Sequence, residues 1–494
     1  MDNVLIINLG NSDIEKEGNK IEFGEFREKT KKIYEQLKAA NKEEKQEIFK
    51  DLDFPIIKAI IDKVDNELEN EKLDNIILAY TNQKYNNNKD TVYLYEILKQ
   101  KKQLVNNLET NNQYIWEKRL KEANFKQFYN IDIDPSDIDK MYDFYAEEIN
   151  KLNNKKVKKL FFSITGGASA MNFALLINAI EKFSGQLIPC YLSRGKKFAY
   201  KVNIAENLRK QILKRDIKIL IRNKDYFAAI KILENLEDDI VDAMSKMGLK
   251  NIILALKYAE ARIQFNFDKC KEYAGKCLDN IEKYREEFSE AIKDILIDKD
   301  DYISRLVELK NNAMYLYKKG SYTDFLGRVY RFQEAVYEHI LRQYDLIIEK
   351  SNGVKINKEI LERRYSDKKE ILCNIKIAGK NLEYEEGNLT VDAMGKIIST
   401  LIDDDDVRNI VNEMEKIKDV KQLRNKSILA HGFEGISKEK IEEKFNCEEK
   451  NISELLEDIM LKICDLFKID IMEDIFYCES SKYDGILIDM IEKL

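Results

Sequence analysis

The chain has 494 residues, a formal charge of −7 from 83 Lys and Arg against 90 Asp and Glu, and 44% hydrophobic residues. That apolar share is enough for real cores and excludes wholesale disorder, while 18 Gly and 3 Pro exclude collagen-like or Pro-rich architecture. The acidic balance disfavours a dedicated duplex-DNA binder, which needs a basic face, and leaves open brief, salt-sensitive contact with RNA.

The apolar run Val4–Leu9, followed by Gly10-Asn11-Ser12-Asp13, reads as a buried parallel strand ending in a polar loop. Residues 25–50 and 55–71 carry a helical pattern. A second buried strand, Asn75–Ala79, leads into Thr81-Asn82-Gln83. The run Asn86-Asn87-Asn88-Lys89-Asp90 reads as an exposed loop outside any site. Phe125–Ile133 is the third expected strand, and Asp134-Pro135 is expected to open a helix, with Asp as N-cap and Pro at the first helical position. A fourth strand, Val157–Ile164, runs into Thr165–Ala168 and an apolar helix to about Phe183; Gln186–Leu192 and Phe198–Val202 read as a hairpin.

Strands alternating with helices predict βαβ units and a parallel sheet. Ligands bind such sheets at the carboxyl ends of the strands. All three polar segments fall there: Asn11–Asp13, Thr81–Gln83 and Thr165–Asn172. One pocket collecting them is expected, with Asn11, Ser12, Thr81, Asn82 and Asn172 as hydrogen-bonding side chains. Gly166 and Gly167 would let backbone N–H groups approach a ligand, and the helix that follows favours a phosphate at its N-terminus. The plainer reading is a tight strand-to-helix turn with Met171 in the core.

After residue 204 the period changes to 3.6, and the last 305 residues contain no proline, so an all-helical second half is expected. A small hairpin or inserted loop is expected at Cys373–Thr390. Seven scattered cysteines, an odd number without Cys-x-x-Cys, and only two histidines argue against a disulfide framework or a zinc site. The N-terminus lacks the look of a signal peptide and no apolar run is long enough to span a bilayer, so a reduced cytoplasmic protein is expected. His339 and Trp116 read as packing residues. P-loop, dinucleotide-binding and nucleophile-elbow motifs are missing.

The segment Arg424-Asn425-Lys426-Ser427-Ile428-Leu429-Ala430-His431-Gly432 pairs a phosphate-binding guanidinium with an acid–base imidazole. On a continuous helix, Arg424 and His431 would share one face about 10 Å apart. That separation suits a site in which two symmetry-related copies surround one phosphodiester. The plainer alternative is a solvated Arg and a helix-terminal His before a Gly C-cap.

Arg424 and His431, with six residues between them beginning with Asn425, resemble the Arg-x(4–6)-His signature of HEPN ribonucleases, and Leu-Ala-His-Gly resembles their CRISPR-associated members. Phe325–Ala335 resembles an earlier helix of that group. Leu5–Asp13 and Ile164–Asn172 resemble the first strand-loop and the strand-loop-helix of CARF domains. The ordered combination resembles the Csm-type accessory ribonucleases of type III CRISPR systems. The resemblance implies an α/β, Rossmann-like CARF domain with a parallel sheet (1–204), an all-α linker (205–300) and an all-α HEPN ribonuclease domain (301–494). It implies a cytoplasmic homodimer without stable membership of the effector complex. The CARF pair would bind a cyclic tetra- or hexa-adenylate through Asn11, Ser12, Asp13, Thr81, Asn82, Gln83, Thr165, Gly166, Gly167, Ala168, Ser169, Met171 and Asn172. The HEPN pair would cut single-stranded RNA without metal, with Arg424 and His431 as catalytic pair and Asn425 as helper. Many members carry a basic residue near the glycine loop, where this chain has Ala168-Ser169, so phosphate neutralisation is expected from elsewhere. The rival reading is a nucleotide-sensing dimeric scaffold without nuclease activity.

Overall fold

The computed structural model describes the chain except residues 84–87, 108–113, 129–130, 237–245, 281–301, 351–352, 369–375, 378–379, 382–388, 446–449, 469–475 and 478–480. It divides into two compact units, Met1–Ile217 with Asn235–Lys246, and Lys218–Glu234 with Met247–Leu494.

The first unit is built on a six-stranded sheet. Its strands are β1 (Asp2–Asn8), β5 (Asn75–Ala79), β6 (Asn124–Gln127), β7 (Val157–Ser163), β8 (Leu187–Tyr191) and β9 (Tyr200–Lys201), in the order β6-β5-β1-β7-β8-β9. All neighbours pair parallel except β8 and β9, which form the expected antiparallel hairpin. The continuous apolar run of β1 is explained by burial on both faces. Leu5 and Ile7 enter one core with Ile76, Leu78 and Phe161, while Val4 and Ile6 enter the other with Ile77, Ala79 and Phe162. The first core lies under α1 (Phe26–Ala39), α2 (Lys42–Lys50), α3 (Pro55–Leu68), α4 (Val92–Asn106) and α5 (Ile115–Glu122); the second lies under α6 (Ile138–Lys151) and α7 (Ser169–Phe183). Three short strands, β2 (Glu15–Lys16), β3 (Asn19–Lys20) and β4 (Leu52–Asp53), form a separate antiparallel sheet that the sequence pattern did not reveal. From β1 the chain builds outward through β5 and β6, then crosses to β7 on the other flank. The strand order therefore reverses beside β1, which opens a crevice at the carboxyl ends of β1 and β7.

Two expectations need correction here. The third strand ends at Gln127, and among the described residues a Thr81–Ile131 bridge continues it. Asp134 does not cap a helix. Its carboxylate accepts from Ser136 N and Oγ at 2.9 and 2.7 Å, closing a local turn, and Asp137 caps α6 instead by accepting from Lys140 N. Two candidate caps stood three residues apart, and the first was taken up by the turn.

The second unit is mainly helical. α8 (Ile204–Arg222) ends in it, followed by α9 (Tyr226–Glu234), α10 (Lys246–Ile263), α11 (Phe267–Asn280), α12 (Tyr302–Lys319) and α13 (Tyr322–Gln343). Beyond these come α14 (Lys358–Arg364), α15 (Val391–Leu401), α16 (Asp405–Glu415), α17 (Lys418–Lys426), α18 (Lys438–Lys444), α19 (Ile452–Phe467) and α20 (Lys482–Lys493). It is not all-helical. β10 (Ile347–Lys350) pairs antiparallel with β11 (Gly353–Ile356), and β12 (Lys376–Ile377) with β13 (Lys380–Asn381). The second hairpin falls where an interruption was expected; Ile375, Gly379, Leu382, Tyr384 and Gly387 lie outside the described residues. Lack of proline permits helices without requiring them, so the β-branched Ile347-Ile348 run paired instead.

α13 forms the spine of this unit, burying Phe325, Val329, Phe332, Val336 and Ile340 in one core with α12, α15, α16 and α19. His339 is also buried here, 4% exposed, stacked on Tyr302 and edge-on to Phe467. Ion pairs tie the earlier helices into the unit. Arg262 of α10 donates twice to Glu308 of α12, both at 2.8 Å, and Tyr477 donates to the same carboxylate. Lys224 and Tyr226 both donate to Asp484 of α20 at 2.6 Å.

Candidate functional sites

A cavity of about 690 Å³ opens at the carboxyl ends of β1, β5 and β7. Its wall collects all three polar segments, through Asn11 and Ser12, Thr81 and Gln83, and Thr165, Gly166, Gly167, Ala168, Ser169 and Met171. The volume is that of a typical small-molecule site.

Three of the expected ligand contacts belong instead to the scaffold behind the wall. Asn172 Nδ2 donates to the carbonyls of Ile164 and Gly166 at 2.9 and 2.6 Å, and its Oδ1 accepts from Asn8 Nδ2. Tyr145 completes the chain by donating to Asn8 Oδ1 at 2.6 Å. Asn82 Oδ1 accepts from Arg27 Nη2. Asp13 is fully buried and accepts from the Gly10 N–H. The glycine loop is therefore shaped by backbone packing. Gly166 and Gly167 have φ of +94° and +62°, and a Cβ on Gly10 would stand 2.4 Å from Gly167 N. The β1 and β7 loops touch main chain to main chain, which only glycine allows.

The pocket is also electrostatically distinct. Burial pushes the Asp13 carboxyl up to about 7, against the pull of the Gly10 N–H. Burial likewise raises the Asp90 carboxyl, opposed by the Gln83 N–H, Thr81 and Arg27. Asn11 Nδ2 and Gln83 Oε1 are buried without a hydrogen-bond partner among the described residues, which leaves one donor and one acceptor for a ligand. The expectation of an exposed loop holds for Lys89 and fails for Asp90. Both line the pocket, with Asp90 buried, bonded to Gln83 N at 3.0 Å and paired with Arg27. Lys89 sits 4.5 Å over the Phe23 ring and brings a basic side chain to a wall whose glycine loop has none. Phe23, Asp134, Pro135 and Ser136 were also missed as lining residues. The signal available was Asp90-Thr91 immediately before a helix, a pattern that orders a loop.

In the second unit, Arg424 and His431 do not share a helix. α17 ends at Lys426, because the buried Ser427 hydroxyl donates to Arg424 O at 2.8 Å and accepts from Leu429 N. The chain then folds back. His431 N donates to Asn425 O at 3.3 Å, Gly432 N to Ser427 O at 3.2 Å, and Glu434 N to Lys426 O at 2.9 Å. His431 is thus placed beside Asn425 by a turn, rather than two helical turns beyond Arg424. Gly432 is not a helix cap, since its Cβ position falls 1.9 Å from Lys426 O. Asn425 and His431 are exposed. Arg424 packs its guanidinium over Tyr330 of α13, with 4.1 Å from Cζ to the ring centroid. Ile428 and Phe433, 71% and 97% exposed, flank His431 with bare apolar surface.

Residues 295–479, which contain this turn, match the family described as the Cas_Csm6 HEPN domain. Over this segment the chain resembles a Csm6-type HEPN domain. Along the whole chain the fold resembles a solved structure titled Enterococcus italicus Csm6 bound to cyclic hexa-2'-fluoro-hexa-dAMP. The likeness covers 99% of this chain and 100% of that one, with a TM-score of 0.59 and 15% identity. No curated protein matches the sequence. The α/β unit precedes the segment that matches the HEPN family, and the likeness in fold spans both.

Proposed function

We propose that the protein is an accessory ribonuclease of type III CRISPR defence, switched on by a cyclic oligoadenylate. Residues 1–204 act as the CARF sensor, 205–300 as the linker and 301–494 as the HEPN nuclease. The observation that carries this reading is the Arg424–His431 turn, lying inside the segment that matches the Csm6 HEPN family. The CARF-side pocket supports the sensor role: it has nucleotide-sized volume, an unused donor and acceptor, a nearby lysine and the N-terminus of α7 at its wall.

In this reading two copies meet around one phosphodiester, and the exposed Ile428 and Phe433 beside His431 support a covering partner copy. The 2′-oxygen attacks phosphorus as one His431 takes its proton. The 5′-oxygen leaves with a proton from His431 of the partner subunit. Arg424 donates to the equatorial phosphorane oxygens and Asn425 assists. The products are a 2′,3′-cyclic phosphate and a 5′-hydroxyl, and no step calls on a metal.

The test is cleavage of a fluorogenic single-stranded RNA in EDTA with no activator, cyclic tetra-adenylate or cyclic hexa-adenylate, for wild type and His431→Ala. Activator-dependent cleavage by wild type, lost in the variant by orders of magnitude, is expected. Cleavage that His431→Ala leaves unchanged sinks the nuclease assignment.

A further inference from the structure

An arginine that waits for a phosphate has to be held in place without being neutralised. A carboxylate would hold it but would cancel its charge and compete with the substrate. The face of an aromatic ring attracts the guanidinium electrostatically while leaving its N–H edge free for oxygens. Arg424 stands in the second situation. Its Cζ is 4.1 Å from the Tyr330 ring centroid. Among the described residues it has no ion pair, and its contact to Asn425 Oδ1, at 3.5 Å, is at the limit of a hydrogen bond.

The same face of α13 also backs the turn. Gly327, one helical turn before Tyr330, leaves space for Leu429, whose Cδ1 would stand 3.4 Å from a Cβ there. α13 is itself held from behind. Arg328 donates to Asn312 Oδ1 of α12 at 2.9 Å, and Tyr302 of α12 donates to Glu338 at 2.6 Å. Residues 327 and 330 therefore form a fixed seat for the two parts of the motif, Gly327 under the turn and Tyr330 under the guanidinium.

We propose that Tyr330 is a positioning residue for Arg424, acting through its ring face and not its hydroxyl, so that an uncompensated guanidinium is pre-aimed at the scissile phosphate. This rests on the nuclease reading given above. Loss of the ring face costs chemistry rather than RNA binding, because a mis-aimed Arg424 forfeits contacts made in the transition state.

The test uses the activated full-length protein and compares Tyr330→Phe, Tyr330→Leu and a pentafluorophenylalanine introduced at position 330. The fluorinated ring keeps shape and packing while removing the negative face. Tyr330→Phe should keep kcat within about twofold, and both other variants should lower kcat about tenfold with KM little changed. Pentafluorophenylalanine matching Tyr330→Phe in kcat overturns the proposal, whatever Tyr330→Leu does to folding. Arg424→Ala run alongside separates the two levels. If it cuts like wild type, the nuclease reading itself fails; if it is inactive while the fluorinated protein stays active, only the positioning role of Tyr330 falls.

Discussion

Gly432→Ala is the sharpest probe of the turn that carries His431. The new methyl would sit 1.9 Å from Lys426 O, a backbone atom that cannot step aside as a flexible side chain would. Relief requires the turn to open, which puts at risk the three hydrogen bonds from His431 N, Gly432 N and Glu434 N. At about 1 kcal/mol net for each, with some returned by solvation of exposed groups, the cost is about 2 kcal/mol. For a unit of this size that lowers the melting temperature by roughly 4–8 °C. The larger effect falls on activity, because displacing His431 by about 1 Å costs on the order of 100-fold in rate. Gly435→Ala is the internal control, since nothing lies within 4 Å of its Cβ position. Activator-dependent RNA cleavage and thermal melts of both variants check the argument. A Gly432→Ala protein as active as Gly435→Ala would refute the turn geometry.

Three other outcomes are expected. Because burial lifts the Asp13 carboxyl to about 7, above its unfolded value, the folded state binds the extra proton; stability falls as pH rises from about 4 to about 7 and is flat above that. Asp13→Asn should remove that slope, seen as melts of the N-terminal unit that converge between about pH 5 and pH 8, whereas an unchanged slope would assign it to another group. Gly10→Ala would place a methyl 2.4 Å from Gly167 N, forcing the two loops apart, and should weaken cyclic oligoadenylate binding at least about tenfold by calorimetry, leaving the melt of the C-terminal unit in place. Glu308→Gln strands the buried Arg262 guanidinium and should cost about 3–5 kcal/mol of stability by denaturant titration; a loss below about 1 kcal/mol would mean that the pair is solvated.

The parallel sheet and its pocket were legible because their signals are local. A strand buried on both faces needs an unbroken apolar run, and β1, β5 and β7 each show one followed at once by polar or glycine residues. Position at a strand's carboxyl end then places a loop in the crevice whatever its side chains. Lys89 and Asp90 were invisible for the opposite reason. The burial of Asp90 depends on Arg27, more than 60 residues away, and it carries the exposed Lys89 to the pocket rim; no local pattern encodes that pairing. The role of Asn172 was likewise decided by Asn8 and Tyr145 from distant strands and helices.

In the segment Arg424–Gly432 the sequence by itself determined which groups are present: a guanidinium, an amide, an imidazole and a glycine. It did not determine their arrangement. Helical spacing assumed that α17 runs on, and one buried hydroxyl, Ser427, competes for the helix backbone and ends it. Only the tertiary structure could decide that contest, because Ser427 is buried by surrounding packing and its hydroxyl must then find a partner. The seat on α13, Gly327 and Tyr330, lies almost 100 residues upstream and becomes part of the motif only when the core closes. Composition and period settle which elements form, whereas the aim of a side chain depends on contacts far away in the chain that the fold alone brings together.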